Sequence, residues 1–157
     1  MLCSMRSVFV SLALLMLATG AAQDGEVRNP GPSTIGFITL GVLQGGGSLV
    51  GADFEGVIAR RFGVQGGIGI FGFGGGLNVH LGPDGRSSFI SLQYWHQGWE
   101  RNYTQSLAGP NFVYRSRKWF TCQLGLGSAI DKGPAWPKDT EQPGIQLMYA
   151  IGAYFPW

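Results

Sequence analysis

The sequence predicts an all-β fold: an antiparallel up-and-down transmembrane β-barrel of about eight strands, preceded by a cleaved signal peptide. Three observations carry that expectation. The N-terminus has the layout of an export signal. Segments that alternate apolar with small or polar residues recur between turn signals. The last segment alternates, and is aromatic, up to Trp157. An exposed aromatic strand edge invites aggregation in water, whereas a closed barrel in a membrane has no edge and needs an apolar outer face.

Residues 1–22 hold one basic residue, Arg6, then the apolar run Val8–Ala18, then Gly20, Ala21 and Ala22. That order is a charged start, a short apolar middle and a small-residue cleavage site. The run is short of the roughly 20 residues a spanning helix needs. Cys3 precedes it, which argues against lipid attachment at a mature N-terminal cysteine. Residues 23–33, with Pro30 and Pro32, are expected to form a flexible leader, and residues 34–157 the outer-membrane barrel. The expected strands run Thr34–Leu43, Ser48–Ala59, Gly63–Phe71, Phe73–Gly82, Ser87–Gly98, Gln105–Arg115, Trp119–Ile130 and Gly144–Trp157. Each approaches the length of a tilted spanning strand.

Alternation assigns faces. In the second segment Val50, Ala52, Phe54 and Ile58 share one side, and Gly51, Asp53 and Glu55 the other. In the fourth, Phe73, Gly75, Leu77, Val79 and Leu81 oppose Gly74, Gly76, Asn78, His80 and Gly82. In the seventh, Phe120, Cys122, Leu124 and Leu126 oppose Thr121, Gln123, Gly125 and Gly127. In the last, Ile145, Leu147, Tyr149, Ile151, Ala153, Phe155 and Trp157 oppose Gln146, Met148, Ala150, Gly152 and Tyr154. Inward glycines suit an eight-stranded barrel, whose interior is just wide enough for side chains. Every second connection is short: residues 60–62, 83–86 (with the tight-turn pair Asp84-Gly85) and 116–118. The longer ones, 99–104 and 131–143, fall at the opposite end, as extracellular loops should. Residues 44–47 and Gly72 are expected as small loops at that end. Tyr94, Trp95, Trp99 and Tyr103 are expected at one rim, and Tyr114, Trp119, Phe155 and Trp157 at the other.

Composition bounds the function. The chain has 157 residues, 27 glycines and 13% charged residues. A formal charge of +2 that includes Arg6 leaves the mature chain near neutral, which argues against nucleic-acid binding. Of the two cysteines, cleavage would leave Cys122 alone, so no internal disulfide is expected.

The chain resembles small bacterial outer-membrane β-barrel proteins of the OmpA/OmpX-like type, along all of residues 23–157. The resemblance rests on pattern, and its most specific part is the ending. The family's assembly signal has a glycine followed by hydrophobic or aromatic residues three and five positions on; Gly152, Phe155 and Trp157 match it. Trp157 departs from the usual final phenylalanine, and Ala150 occupies an often polar position. The resemblance implies export to the bacterial outer membrane, contact with its lipids, insertion by the barrel-assembly machinery, and a monomer.

Asp53 and Glu55 are inward carboxylates that either perform acid–base chemistry or pair with a base; Arg115, inward with Asn111 and Val113, is the preferred partner for lumen ion pairs. His80 and His96 are the two histidines. Similar small barrels include lipid-modifying acyltransferases and deacylases that use histidine with serine or an acid near the outer rim. His96 lies near that rim with Glu100 and Ser91 nearby in sequence, but no catalytic signature surrounds it. Two distant histidines and one cysteine make no metal site, and no cofactor is implied. Residues 45–47 and 72–76 lack the helix and lysine of a phosphate loop. The favoured function is a non-enzymatic integral barrel with an envelope-structural or surface-interaction role. The alternatives are an outer-membrane lipid-modifying enzyme, marked by a histidine–serine or histidine–acid pair at the outer rim, and a soluble secreted barrel binding a small apolar ligand, marked by the inverted facing.

Overall fold

Eight antiparallel strands close into a barrel in sequence order. They are β1 (Gly36–Val42), β2 (Gly51–Ala59), β3 (Phe62–Gly69), β4 (Gly72–His80), β5 (Phe89–Gln97), β6 (Gln105–Arg115), β7 (Phe120–Lys132) and β8 (Ile145–Pro156). The computed structural model describes residues 36–83 and 85–157; the expected signal peptide (1–22), the leader (23–33) and Asp84 of the tight turn lie outside the described residues. The seam joins β1 to β8, with Phe37 opposite Pro156 and Val42 opposite Ile151. Beyond the ladder the Trp157 N–H donates to the Gly36 carbonyl at 3.0 Å, and the Gly36 N–H returns a bond at 3.3 Å.

Alternation becomes an inside-out distribution of polarity. Leu40, Phe54, Val64, Leu77, Ile90, Leu126 and Ile151 are exposed on the outer face. Thr39, Asp53, Glu55, Asn78, Ser91, Gln93, Asn111, Arg115, Thr121 and Gln123 are buried in the lumen. Water-soluble domains place these classes the other way round. The lumen also holds two apolar layers. Trp95, Leu107 and Met148 cluster with Ala129 toward the end carrying the long loops. Phe37, Phe89 and Tyr154 lie toward the end carrying the tight turns, around Arg115. Trp95 is therefore not a rim residue: it is 5% exposed and its indole N–H donates to Gln93 Oε1 at 2.9 Å. Its position shares the inward parity of Ser91 and Gln93.

The boundaries shift where backbone geometry differs from pattern. The β3–β4 turn is Ile70-Phe71; Gly72 pairs with Gly69 inside the ladder instead of forming the connection. β1 stops at Val42 because Leu43 is left-handed (φ 60). β2 begins at Gly51, later than expected, because the intervening segment turns into the barrel. In β7 the register slips opposite Ser106 and Leu107. That bulge, centred on Ile130, brings Asp131 opposite Ser106.

Candidate functional site

The lumen is organised around Glu55. Its Oε1 accepts from Asn78 Nδ2 at 2.5 Å and lies 2.9 Å from His80 Nε2. Its Oε2 lies 2.7 Å from Arg115 Nη2, an ionic contact whose angle is not that of a hydrogen bond. β2 presents Glu55, β4 presents Asn78 and His80 from successive inward positions, and β6 presents Arg115. Arg115 also donates from Nη1 to the Gly85 carbonyl at 2.9 Å. Its guanidinium carbon sits 4.4 Å from the Phe37 ring centroid, 4.7 Å from Phe89 and 5.0 Å from Tyr154. The planar cation is thus enclosed by aromatic faces. Tyr154 is anchored in turn by donating its hydroxyl to the Ser116 carbonyl. The arrangement ties strands across the barrel; it leaves no room for a substrate.

Asp53 behaves differently from Glu55. The expected ion pair with Arg115 does not form: the ion pairs among the described residues are His80–Glu55 and Arg115–Glu55. Two residues along a strand move Asp53 about 7 Å toward the loop end, out of reach of the guanidinium. There its Oδ2 accepts from the Gly45 N–H at 3.3 Å.

That bond comes from a segment that folds inward. Gln44–Gly47 is a tight turn in which Gly45, Gly46 and Gly47 all have left-handed φ (66°, 82° and 79°), a conformation glycine adopts without strain. Gln44 is 4% exposed, and Gly45 and Gly46 are buried. The fit depends on bare backbone: a Cβ on Gly46 would fall 2.1 Å from the Phe73 carbonyl oxygen. The expected small outer loop is instead a plug. Beneath it remains a cavity of about 10 Å³, lined by Thr39, Gln65, Val113, Thr121 and Gln123 among others, enough for about one water. Above it Gln105 Nε2 donates to Gln97 Oε1 at 2.9 Å and Gln146 Oε1 at 2.8 Å, a polar ring at the loop end.

The outer face carries a second polar cluster. His96 points outward, and its Nδ1 lies 2.8 Å from Ser106 Oγ and 3.3 Å from the Tyr94 hydroxyl. Tyr94 also donates to Ser106 Oγ at 3.1 Å. The His96 ring contacts Phe73 (4.8 Å) and Tyr103 (4.7 Å) in tilted geometry, and the Tyr103 hydroxyl donates to Asp131 Oδ2 at 2.5 Å. That bond raises the Tyr103 phenol above its ordinary pKa, because the neighbouring carboxylate favours the neutral donor. Ser106 was not singled out from sequence; its signal is the β5–β6 register, in which Gln97 opposite Gln105 places His96 opposite Ser106. Ser91, the serine nearest in sequence, faces the lumen and donates to Asn78 Oδ1 at 2.6 Å. His80 is a lumen group bound to Glu55.

Among the described residues no three His, Cys, Asp or Glu side chains converge as metal ligands. Cys122 is half-buried and shares the outward parity of Leu124 and Leu126. At the seam Gly152 lets β8 approach β1, since a Cβ there would lie 2.4 Å from the Leu40 carbonyl oxygen. Phe155 and Trp157 are exposed, 49% and 59%. Comparison with family models, with curated proteins and with solved structures gives no match for this chain.

Proposed function

We propose that this chain is an integral barrel of the bacterial outer membrane, of the OmpA/OmpX-like type, with an envelope-structural or surface-interaction role and no conducting pore. The observation that carries the reading is the inside-out polarity: an exposed apolar wall around a lumen of buried Asp, Glu, Asn, Gln and Arg. A bilayer demands that arrangement, and a charge on the lipid side at mid-depth costs a few kcal/mol. A soluble carrier of an apolar ligand needs an apolar cavity; the space left in this lumen is about 10 Å³ and lined mainly by polar side chains. The plug and the glutamine ring argue against conduction. The rim aromatics Trp99, Tyr103, Trp119 and Trp157, and loop residues such as Trp136, are the surface offered to lipid and partners. The test is fractionation of expressing cells with gel mobility before and after boiling, and planar-bilayer recording. A heat-modifiable band in the outer membrane and a flat current trace are expected. A folded monomer free of detergent in the periplasm or medium refutes the membrane placement, and resolved current steps refute the closed lumen.

A second reading, a lipid-modifying enzyme, is favoured by one observation: the 2.8 Å contact between His96 and Ser106. A serine beside a histidine is the geometry of an activated nucleophile. Two features weigh against it. Ser106 is 3% exposed. The nearby acid, Asp131, is engaged by Tyr103 instead of orienting the histidine. Release of free fatty acid from labelled membrane lipids, lost in Ser106→Ala, would establish the enzyme.

A further inference from the structure

The wall of β1–β4 and β8 presents aliphatic, aromatic and glycine residues outward, whereas β5–β7 break that surface with a polar row. Cross-strand pairing sets Phe73, His96, Ser106 and Asp131 side by side on β4, β5, β6 and β7. The contacts around His96 are satisfied by one assignment of protons. Tyr94 donates to Ser106 Oγ at 3.1 Å. Ser106 keeps one proton of its own, and His96 Nδ1 at 2.8 Å is the acceptor to which we assign it. With Nδ1 accepting, the neutral ring carries its proton on Nε2. No described residue accepts a hydrogen bond from Nε2. A donor is left over on an apolar wall, held in orientation by the rings of Phe73 and Tyr103.

Resting on the membrane placement proposed above, we infer that His96 seats the ester carbonyl of an acyl lipid in the surrounding leaflet. The site lies at the loop end of the wall, beside Trp99, whose indole N–H is pinned to the Ile70 carbonyl at 2.8 Å. Interfacial aromatics of this kind sit at the depth of the lipid headgroups, where the ester groups begin. Toward mid-depth the same wall continues into Leu77 and Leu92, 61% and 59% exposed, a surface for the acyl chain. A neutral carbonyl suits a row whose one formal charge is the Asp131 carboxylate, two strands from His96.

The test uses the protein refolded into liposomes made from equal parts of a diester phospholipid and its diether analogue with the same headgroup and chains. The protein is extracted in mild detergent and its retained lipid counted by native mass spectrometry. The diester is expected to be retained at least fivefold over the diether. His96→Gln, which keeps an amide N–H, should preserve the preference. His96→Phe, which keeps the ring and loses the donor, should abolish it with the heat-modifiable band unchanged. Equal retention of the two lipids, or a preference that survives His96→Phe, overturns the assignment. So does retention that vanishes when a diester without phosphate replaces the phospholipid, because the phosphate would then be the recognised group. Fatty-acid release that depends on His96 would also overturn it, in favour of a hydrolytic site. Failure to form the heat-modifiable band in liposomes would refute the membrane placement itself, a result distinct from loss of lipid preference in an inserted barrel.

Discussion

Replacing Glu55 with glutamine isolates the charge of the central lumen carboxylate. Glutamine matches its size, and its amide oxygen still accepts from Asn78 and still faces His80. What is lost is the ionic contact to Arg115 at 2.7 Å. Glu55 and Arg115 are 2% and 3% exposed, so solvent does little to screen the pair. Stranding one member of a buried pair typically costs about 3–5 kcal/mol. The three aromatic rings around Arg115 remain in place and favour the low end, about 3 kcal/mol. With a urea slope of about 2 kcal/mol/M, the unfolding midpoint should fall by about 1.5 M. Tryptophan fluorescence of the detergent-folded barrel in increasing urea measures this. The double variant Glu55→Gln/Arg115→Met, which removes both charges, should recover to within about 1 kcal/mol of wild type, since an apolar replacement of a buried pair is near neutral. A Glu55→Gln protein within about 0.5 kcal/mol of wild type, or a double variant as unstable as the sum of the singles, would refute the view that Glu55 compensates a buried cation.

Gly46→Ala should destabilise by about 2 kcal/mol or more, because its Cβ would strike the Phe73 carbonyl at 2.1 Å in a left-handed residue; Gly66→Ala, with nothing within 4 Å, should change stability by under about 0.5 kcal/mol in the same urea titration. Deleting Phe155–Trp157 removes the Phe37–Pro156 and Ile38–Phe155 pairings and the bonds between Trp157 and Gly36, and should abolish the heat-modifiable band in cells. If the truncated chain refolds in detergent yet fails in cells, the ending acts as an assembly signal; normal levels in the outer membrane would refute that role. Tyr103 has a raised folded pKa, so its bond to Asp131 contributes fully below the unfolded phenol value near 10 and is lost as pH climbs through the higher folded value. Ultraviolet titration of wild type against Tyr103→Phe should assign it a transition above pH 10; one at or below 10 would contradict the contact.

Much of the wall was legible in the sequence because a strand's period of two leaves a trace in every residue. β6 has the bounds its alternation predicts, and the other strands differ from expectation by a few residues at their ends. The same parity turned Asp53, Glu55 and Arg115 inward. It could not say which acid would meet the arginine, because that depends on stagger between β2 and β6, strands that never pair. The plug was hidden for another reason. A glycine run between two strands has the composition of an outer loop, and its inward path is set by Leu43's left-handed turn and by glycines on β3 and β4 that come near it only after folding. Trp95 was misplaced because aromatic character was weighed above its inward parity. The His96–Ser106 adjacency leaves no trace in the order of residues, because it depends on the β5–β6 register.

The seam between β1 and β8 also shapes how the barrel comes to exist. Seven of the eight pairings join consecutive strands, so hairpins can form locally and quickly. The eighth, which sets Phe37 opposite Pro156, is the most non-local strand pairing among the described residues. Until it forms, the sheet has two bare edges, and an open edge is a template for pairing with other chains. The same step gathers Phe37 from β1 and Tyr154 from β8 around Arg115. A sheet without this pairing lacks two of the three rings brought together around the guanidinium. Edge protection and enclosure of the charge thus depend on the same pairing.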